Sequence, residues 1–248
     1  MLCLGCGLSA APPQKTASEG LTIEQRLFGP ISLRIEALNE ILASKNLLSD
    51  PQVRRMVVRS LDEASNDPNW EQLEEDQEYE DYYDGILSTV VEKIATEYHD
   101  PSAWKALVSG NYNDDSRFAL WLAEQPGALP ALLEAVHSTN WLTAGRALYV
   151  LAEALARCAP TPSDKTCAAT EQKRPDILRL LRKALQDPMV SLAAVRGLGL
   201  CGEEQDIETL THAKPCPRGE LPESENLRMW EDRIRETQQQ IEKRLRTN

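Results

Sequence analysis

Residues 187 to 202 read Asp187-Pro188-Met189-Val190-Ser191-Leu192-Ala193-Ala194-Val195-Arg196-Gly197-Leu198-Gly199-Leu200-Cys201-Gly202. Asp187 and Pro188 form a helix start: the carboxylate accepts from an otherwise unpartnered N–H, and proline loses nothing at the first helical position. Ala193 and Ala194 leave room for a paired helix to approach closely. Gly202 is suited to a left-handed conformation at the helix stop. The preceding Ile177, Leu178, Leu180, Leu181 and Leu185 recur at helical spacing and supply a first helix, Pro175 to Gln186, to the same unit.

The same pattern recurs upstream. Leu129 to Leu155 reads as a second helix pair, with Asn140 capping its second helix. A fainter copy is Asp50-Pro51-Gln52-Val53-Arg54-Arg55, and Asp100-Pro101 marks another. The caps at 50, 100, 140 and 187 stand about 40 to 50 residues apart, a spacing typical of stacked helical repeats.

Apolar residues recur at three- and four-residue spacing nearly throughout, and no stretch alternates long enough to make a strand, so the chain reads as all-α. Further helices are expected at Ile31 to Ser44, Pro51 to Glu63, Tyr79 to Tyr98, Ser102 to Tyr112, Asp115 to Glu124, Trp141 to Cys158, Met189 to Cys201 and Glu203 to Ala213. A terminal helix spans about Glu225 to Arg246, with Leu227, Trp230, Ile234, Ile241 and Leu245 on one face. Short connections favour antiparallel neighbours.

The D-P-x-V start, the small apolar pair and the L-G-x-x-G finish of residues 187–202 resemble the second helix of a HEAT-like repeat, the type also seen in phycobilisome lyases. The resemblance implies an α-solenoid of about four or five antiparallel helix pairs over residues 21–224. Before it stands a signal-like or disordered segment, 1–20; after it comes an amphipathic capping helix, 225–248, whose polar outer face ends the stack. Second helices usually line the inner surface of such folds, which makes Arg54, Trp141, Arg146 and Arg196 candidate partner-binding residues.

The chain has 248 residues, 42% hydrophobic and 27% charged, enough to bury a core. Its 27 Lys and Arg stand against 39 Asp and Glu, a net charge of −12, which argues against binding nucleic acid or anionic lipid. Glu71 to Asp84 is the densest acidic run and carries Tyr79, Tyr82 and Tyr83, a composition suited to gripping a basic partner. Three histidines stand in different units, and no G-x-S-x-G, H-E-x-x-H, P-loop or dinucleotide pattern occurs. No cofactor, catalytic or metal-binding residues are assigned. Zinc ligation lacks a C-x2-C pair or a second histidine at ligand spacing.

Met1 to Ala11 resembles the back half of a secretory signal, and Cys3-Leu4-Gly5-Cys6 looks like the end of a bacterial lipoprotein signal, with Cys6 the acylated residue. No later segment approaches the roughly 18 apolar residues needed to span a bilayer. Cys158 with Cys167, and Cys201 with Cys216, each join a helix end to a following loop. The two pairs are expected as disulfides in an oxidising compartment. Together these readings favour a non-enzymatic scaffold or protein-binding module of the bacterial cell envelope, whose partner is a protein. Two alternatives stand beside it: a cytosolic lyase-like enzyme acting on a chromophore or protein modification, and a structural lipoprotein without a partner groove.

Overall fold

A computed structural model of the chain describes residues 20–65, 81–109, 116–158, 165–216 and 223–247. Every regular element among them is helical. Cys6 and Tyr79 lie outside the described residues. Among the described residues fourteen α-helices follow one another: α1 (Ile23–Leu27), α2 (Ile31–Ala43), α3 (Lys45–Ser49), α4 (Pro51–Ser65), α5 (Ser88–Glu97), α6 (Pro101–Ser109), α7 (Ser116–Ala123), α8 (Ala128–Ala135), α9 (Trp141–Cys158), α10 (Lys165–Gln172), α11 (Arg174–Ala184), α12 (Ser191–Cys201), α13 (Glu204–Thr209) and α14 (Glu223–Thr247). A π-helical turn, Asp81–Leu87, leads into α5, and a 3-10 turn, Leu210–His212, extends α13.

The recurring Asp and Asn residues all do the same local work. Asp50, Asp100, Asn140 and Asp187 each accept, through Oδ1, the backbone N–H two residues on. The donors are Gln52 at 2.7 Å and Ser102, Leu142 and Met189 at 3.0 Å. For Asp50, Asp100 and Asn140 the bond satisfies a donor that the first helical turn would otherwise leave open; Met189, bonded to Asp187, lies in the turn ahead of α12. At Asp187 the chain makes a further turn, with Ser191 N–H on the Asp187 carbonyl at 2.8 Å, so α12 begins at Ser191 rather than Met189.

Packing runs chiefly between helices close in sequence. α1 lies on α2 and α4, α4 on α6, α6 on α8, α8 on α9, α9 on α12, and α12 on α14. One apolar core runs through them from Leu27 to Ile241. α9 is its centre, with Ala144, Ala147, Leu148, Val150, Leu151, Ala152, Ala154 and Leu155 all buried. Each fully buried leucine there contributes about 1.5–3 kcal/mol relative to exposure.

The most extensive helix–helix contact, α9 on α12, is made through small residues. A Cβ on Gly145 would lie 3.6 Å from the Ala193 Cβ, and one on Gly197 would lie 3.0 Å from the Ala152 Cβ and 2.8 Å from Leu181 Cδ2. The two contact pairs advance in the same direction along both helices, so α9 and α12 run parallel. Gly197 is therefore required by the close approach of α11 and α9. At the far end Gly202 departs from expectation: its φ of −63° and ψ of 162° are extended, not left-handed. Its lack of a Cβ matters for space, because a Cβ would meet the Leu198 carbonyl at 2.5 Å and Ile241 Cδ1 at 3.2 Å.

Three other expectations are corrected. Cys167 lies on a helix, α10, and not in a loop; Thr170 is the buried residue there, so no apolar period announced it. The expected helix from Tyr79 is not continuous α-helix where described, because Asp81–Leu87 is π-helical, and this wider turn accompanies a Tyr82 that is fully buried. On α14 the expected apolar face is only partly covered. Ile241 is buried, Trp230 and Ile234 are half-buried, and Leu227 and Leu245 are exposed.

Candidate functional site

Trp141, Arg146 and Arg196, three of the residues singled out from the sequence, are carried by the adjacent parallel helices α9 and α12. One turn before the Gly145–Ala193 contact stand Trp141 on α9 and, just ahead of α12, Met189. They are 47% and 44% exposed, and Leu142 beside Trp141 is 43% exposed. One turn beyond Ala193, Arg196 faces solvent, and Arg146 follows Gly145 as a half-buried residue engaged within the chain. Half-buried Leu192 and Leu200 complete the outer side of α12. On α9, Tyr149 donates its hydroxyl to Glu153 Oε1 at 2.7 Å, which occupies the carboxylate nearest this face along that helix. The result is an apolar and aromatic surface beside exposed Arg196, with half-buried Arg146 and Glu153 and exposed Asp187 carrying both signs of charge close by.

The other candidates fall elsewhere. Arg54 is turned into the fold: its guanidinium donates to the carbonyls of Leu48 and Ser49, both at 2.9 Å, lies 4.7 Å over the Tyr98 ring and reaches towards Asp100 at 3.9 Å. It ties the start of α4 to the turn between α5 and α6. Tyr82 is a core residue with the Arg34 guanidinium 5.5 Å from its ring centre, and burial pushes its hydroxyl pKa up. It is thus not available as a surface contact. The Tyr83 side chain lies outside what is described.

Cys158 closes α9 and Cys167 opens α10 with their sulfurs at disulfide distance and their Cα atoms 5.0 Å apart. The second expected bridge is not formed. Cys201 is a buried thiol whose Sγ donates to the Gly197 carbonyl at 3.3 Å, one turn back in α12. Burial pushes this thiol up to about 12. Cys216 lies past Leu210–His212, half-buried and not bonded to Cys201. Burial does not separate the two pairs, because Cys158 and Cys201 are equally buried; what differs is that α10 brings Cys167 to the end of α9 whereas Cys216 is not brought to Cys201.

The densest polar cluster escaped sequence reasoning altogether. Arg182 on α11 donates to Asp206 Oδ1 at 2.6 Å, Asp206 Oδ2 at 3.1 Å and Glu203 Oε2 at 2.9 Å. Asp206 is fully buried and also accepts the Glu203 N–H at 2.7 Å, closing a capping box on α13. The hydrogen bond from Arg182 holds the Glu203 carboxyl below the usual range, and Arg174 does the same for Glu171. Next to it, Arg244 on α14 donates to the carbonyls of Gly199 and Leu200 at 2.6 Å and to that of Gly202, so a side chain closes the C-terminal end of α12. Every carboxylate and guanidinium named here has its partner within the cluster, which makes it a fastening of α11, α12, α13 and α14.

Among the described residues, no group of three or more His, Cys, Asp or Glu side chains is placed to hold a metal ion, and no helix is long and apolar enough to cross a membrane. Among the described residues these features define an all-helical fold in which Trp141 and Leu142 of α9, Met189 just ahead of α12 and Arg196 of α12 are exposed. Compared with protein-family models, curated proteins and solved structures, the chain matches none of them.

Proposed function

We propose that the protein is a non-enzymatic, HEAT-like α-solenoid of helix pairs that acts as a protein-binding module through the outer face of α9 and α12. The observation that carries this reading is the exposure of Trp141 and Leu142 at the start of α9 and of Met189 just ahead of α12, large apolar side chains left in water where those two neighbouring helices begin. Exposed apolar residues scattered singly need no explanation, but a grouped set marks an interaction surface. Tryptophan, methionine and arginine are the residue types enriched at the centres of protein interfaces. The repeated Asp and Asn starts, the packing of helices on near neighbours in sequence, and the parallel run of α9 and α12 support the solenoid.

We place the module in an oxidising compartment, the bacterial cell envelope, with Cys6 as its lipid anchor. The proximity of Cys158 and Cys167 supports the compartment, since such pairs persist as disulfides only where thiols are not kept reduced. A photoreactive residue introduced at Leu142 or Arg196 in cells of the source organism tests the binding role. Discrete protein adducts are expected from both positions and not from Glu24, exposed on α1. Absence of adducts, or the same adducts from all three positions, overturns it.

A further inference from the structure

We infer that the Cys158–Cys167 pair is a redox-sensitive switch that sets whether α10 is docked. The bond pins α10 to the end of α9, and a protein dithiol that reduces it releases α10 while leaving the rest of the fold standing. This rests on the packing around α10 and is independent of the face on α9 and α12.

Little else holds α10 in place. It has eight residues, and a helix of that length is marginal by itself. Among its described side chains Cys167 and Glu171 are half-buried, and Ala168, Ala169 and Gln172 are exposed. The buried one, Thr170, is a single small side chain engaged within the chain. None of these residues belongs to the apolar core. Glu171 accepts two bonds of 2.6 Å from Arg174, but that partly exposed pair spans three residues and contributes too little to dock a helix.

The neighbours of α10 are anchored differently. α9 buries Leu148, Leu151 and Leu155, and α11 buries Ile177, Leu178 and Leu181, so both keep their places through their own apolar faces. Breaking the bond therefore undocks one short helix at the end of a standing core. Such a local change between order and disorder is what redox and ligand switches use.

The two cysteines differ in access. Cys158 is 5% exposed in the last turn of α9, whereas Cys167 is half-buried in the first turn of α10. A thiolate of the incoming dithiol attacks Cys167 Sγ; the S–S bond breaks, and the Cys158 sulfur leaves with the electron pair and takes a proton. The second thiol of the donor then displaces Cys167 from the mixed disulfide and gives up its proton to it. The donor ends oxidised, as a disulfide, and Cys158 and Cys167 end as thiols, reduced by two electrons.

The test follows hydrogen exchange in the full chain by mass spectrometry, with the pair oxidised and again after addition of dithiothreitol as the dithiol probe. The amides of Ala169 to Gln172 are expected to exchange at least tenfold faster after reduction, with those of Leu148 to Leu155 in α9 and Ile177 to Leu181 in α11 unchanged. Reoxidation should restore slow exchange. A Cys158→Ser/Cys167→Ser variant should show the fast rate in α10 from the outset and ignore the reagent; should it fail to fold, the comparison on the unaltered chain still decides.

Exchange in α10 that does not change on reduction overturns the inference, because the helix then holds without its bond. Faster exchange in α9 and α11 as well overturns it in favour of a bridge that supports the whole fold. A bond that dithiothreitol reduces only in denaturant overturns it too, since a switch has to be reached in the folded protein.

Discussion

The guanidinium of Arg182 grips both carboxylate oxygens of Asp206 across 24 residues of sequence, at 2.6 and 3.1 Å, and Asp206 has no exposed surface. A buried pair of this kind adds little over well-packed apolar residues, yet breaking it is costly because one charge is left stranded. Arg182→Ala should therefore destabilise the protein by about 3–5 kcal/mol in urea unfolding. Adding Asp206→Asn removes the stranded charge and keeps an oxygen for the Glu203 N–H, so the double variant should recover part of the loss. A single-variant loss below about 1 kcal/mol would show that Asp206 finds water instead.

The same cluster makes stability depend on acid. The Glu203 and Glu171 carboxyls are held below the ordinary value of 4.5 by hydrogen bonds from Arg182 and Arg174. Their contribution is fully present above that value and is lost as pH falls through the lower folded-state value, because the unfolded chain takes up protons first. The melting temperature should be flat from pH 7 to about 5 and fall below the ordinary carboxylate range. A Glu171→Gln/Glu203→Gln variant should fall less steeply over that window. Superimposable pH profiles for the two proteins would remove these groups from the account.

Two glycines of the α9–α12 contact should respond oppositely to alanine. At Gly197 the new Cβ would lie 2.8 Å from Leu181 Cδ2 and 3.0 Å from the Ala152 Cβ, so Gly197→Ala should cost about 1–3 kcal/mol through overpacking. At Gly145 the nearest atom is 3.6 Å away, an ordinary contact, and Gly145→Ala should stabilise α9 by about 0.5–1 kcal/mol. Denaturant midpoints measured side by side decide it. Equal shifts of the same sign would mean that α9 and α12 are not held in this register.

How much of this was legible in the sequence depends on the range of the interaction. Asp50, Asp100 and Asn140 were readable as helix starts because each bonds to a backbone group two residues away, whereas Asp187 makes the same bond in a turn and α12 starts only at Ser191. The period of buried residues in α9 was readable because most of that helix is core. α10 was not, since the buried residue described there is a threonine, Thr170, which adds nothing to an apolar period. Arg182 with Asp206, and Arg244 with Gly199, join residues far apart along the chain, and no local spacing encodes them. The candidate face was half legible: Trp141, Arg146 and Arg196 could be chosen by helix position, whereas Met189 became visible only when α12 was seen against α9.

Thiol chemistry separates the cysteines. Native protein treated with an alkylating reagent at pH 8 should leave Cys201 unmodified, because the thiol is buried and pushed up to about 12; denaturation should expose it at once. Cys158 and Cys167 in protein from the source organism should resist alkylation until reduced. Replacing both with serine should lower stability by about 2–3 kcal/mol, the loop-closure value for a short bridge. Intact mass before and after reduction reads the state of the pair directly. Alkylation of Cys158 and Cys167 without reductant would place the protein among reduced proteins and remove the support for an oxidising compartment.

Arg244 completes α12 from more than forty residues downstream. During synthesis the last carbonyls of α12 must therefore wait, with water as their only partner, until the chain through residue 244 has emerged and α14 has swung back onto them. The starts of α4 and α9, by contrast, are bonded within two residues and can close as soon as they are made. Although chains generally fold from the first-made end, here the final fastening of a central helix is reserved for one of the later-made side chains. A ribosome stalled before residue 244 would hold a protein that has its core helices but lacks the clasp at the end of α12.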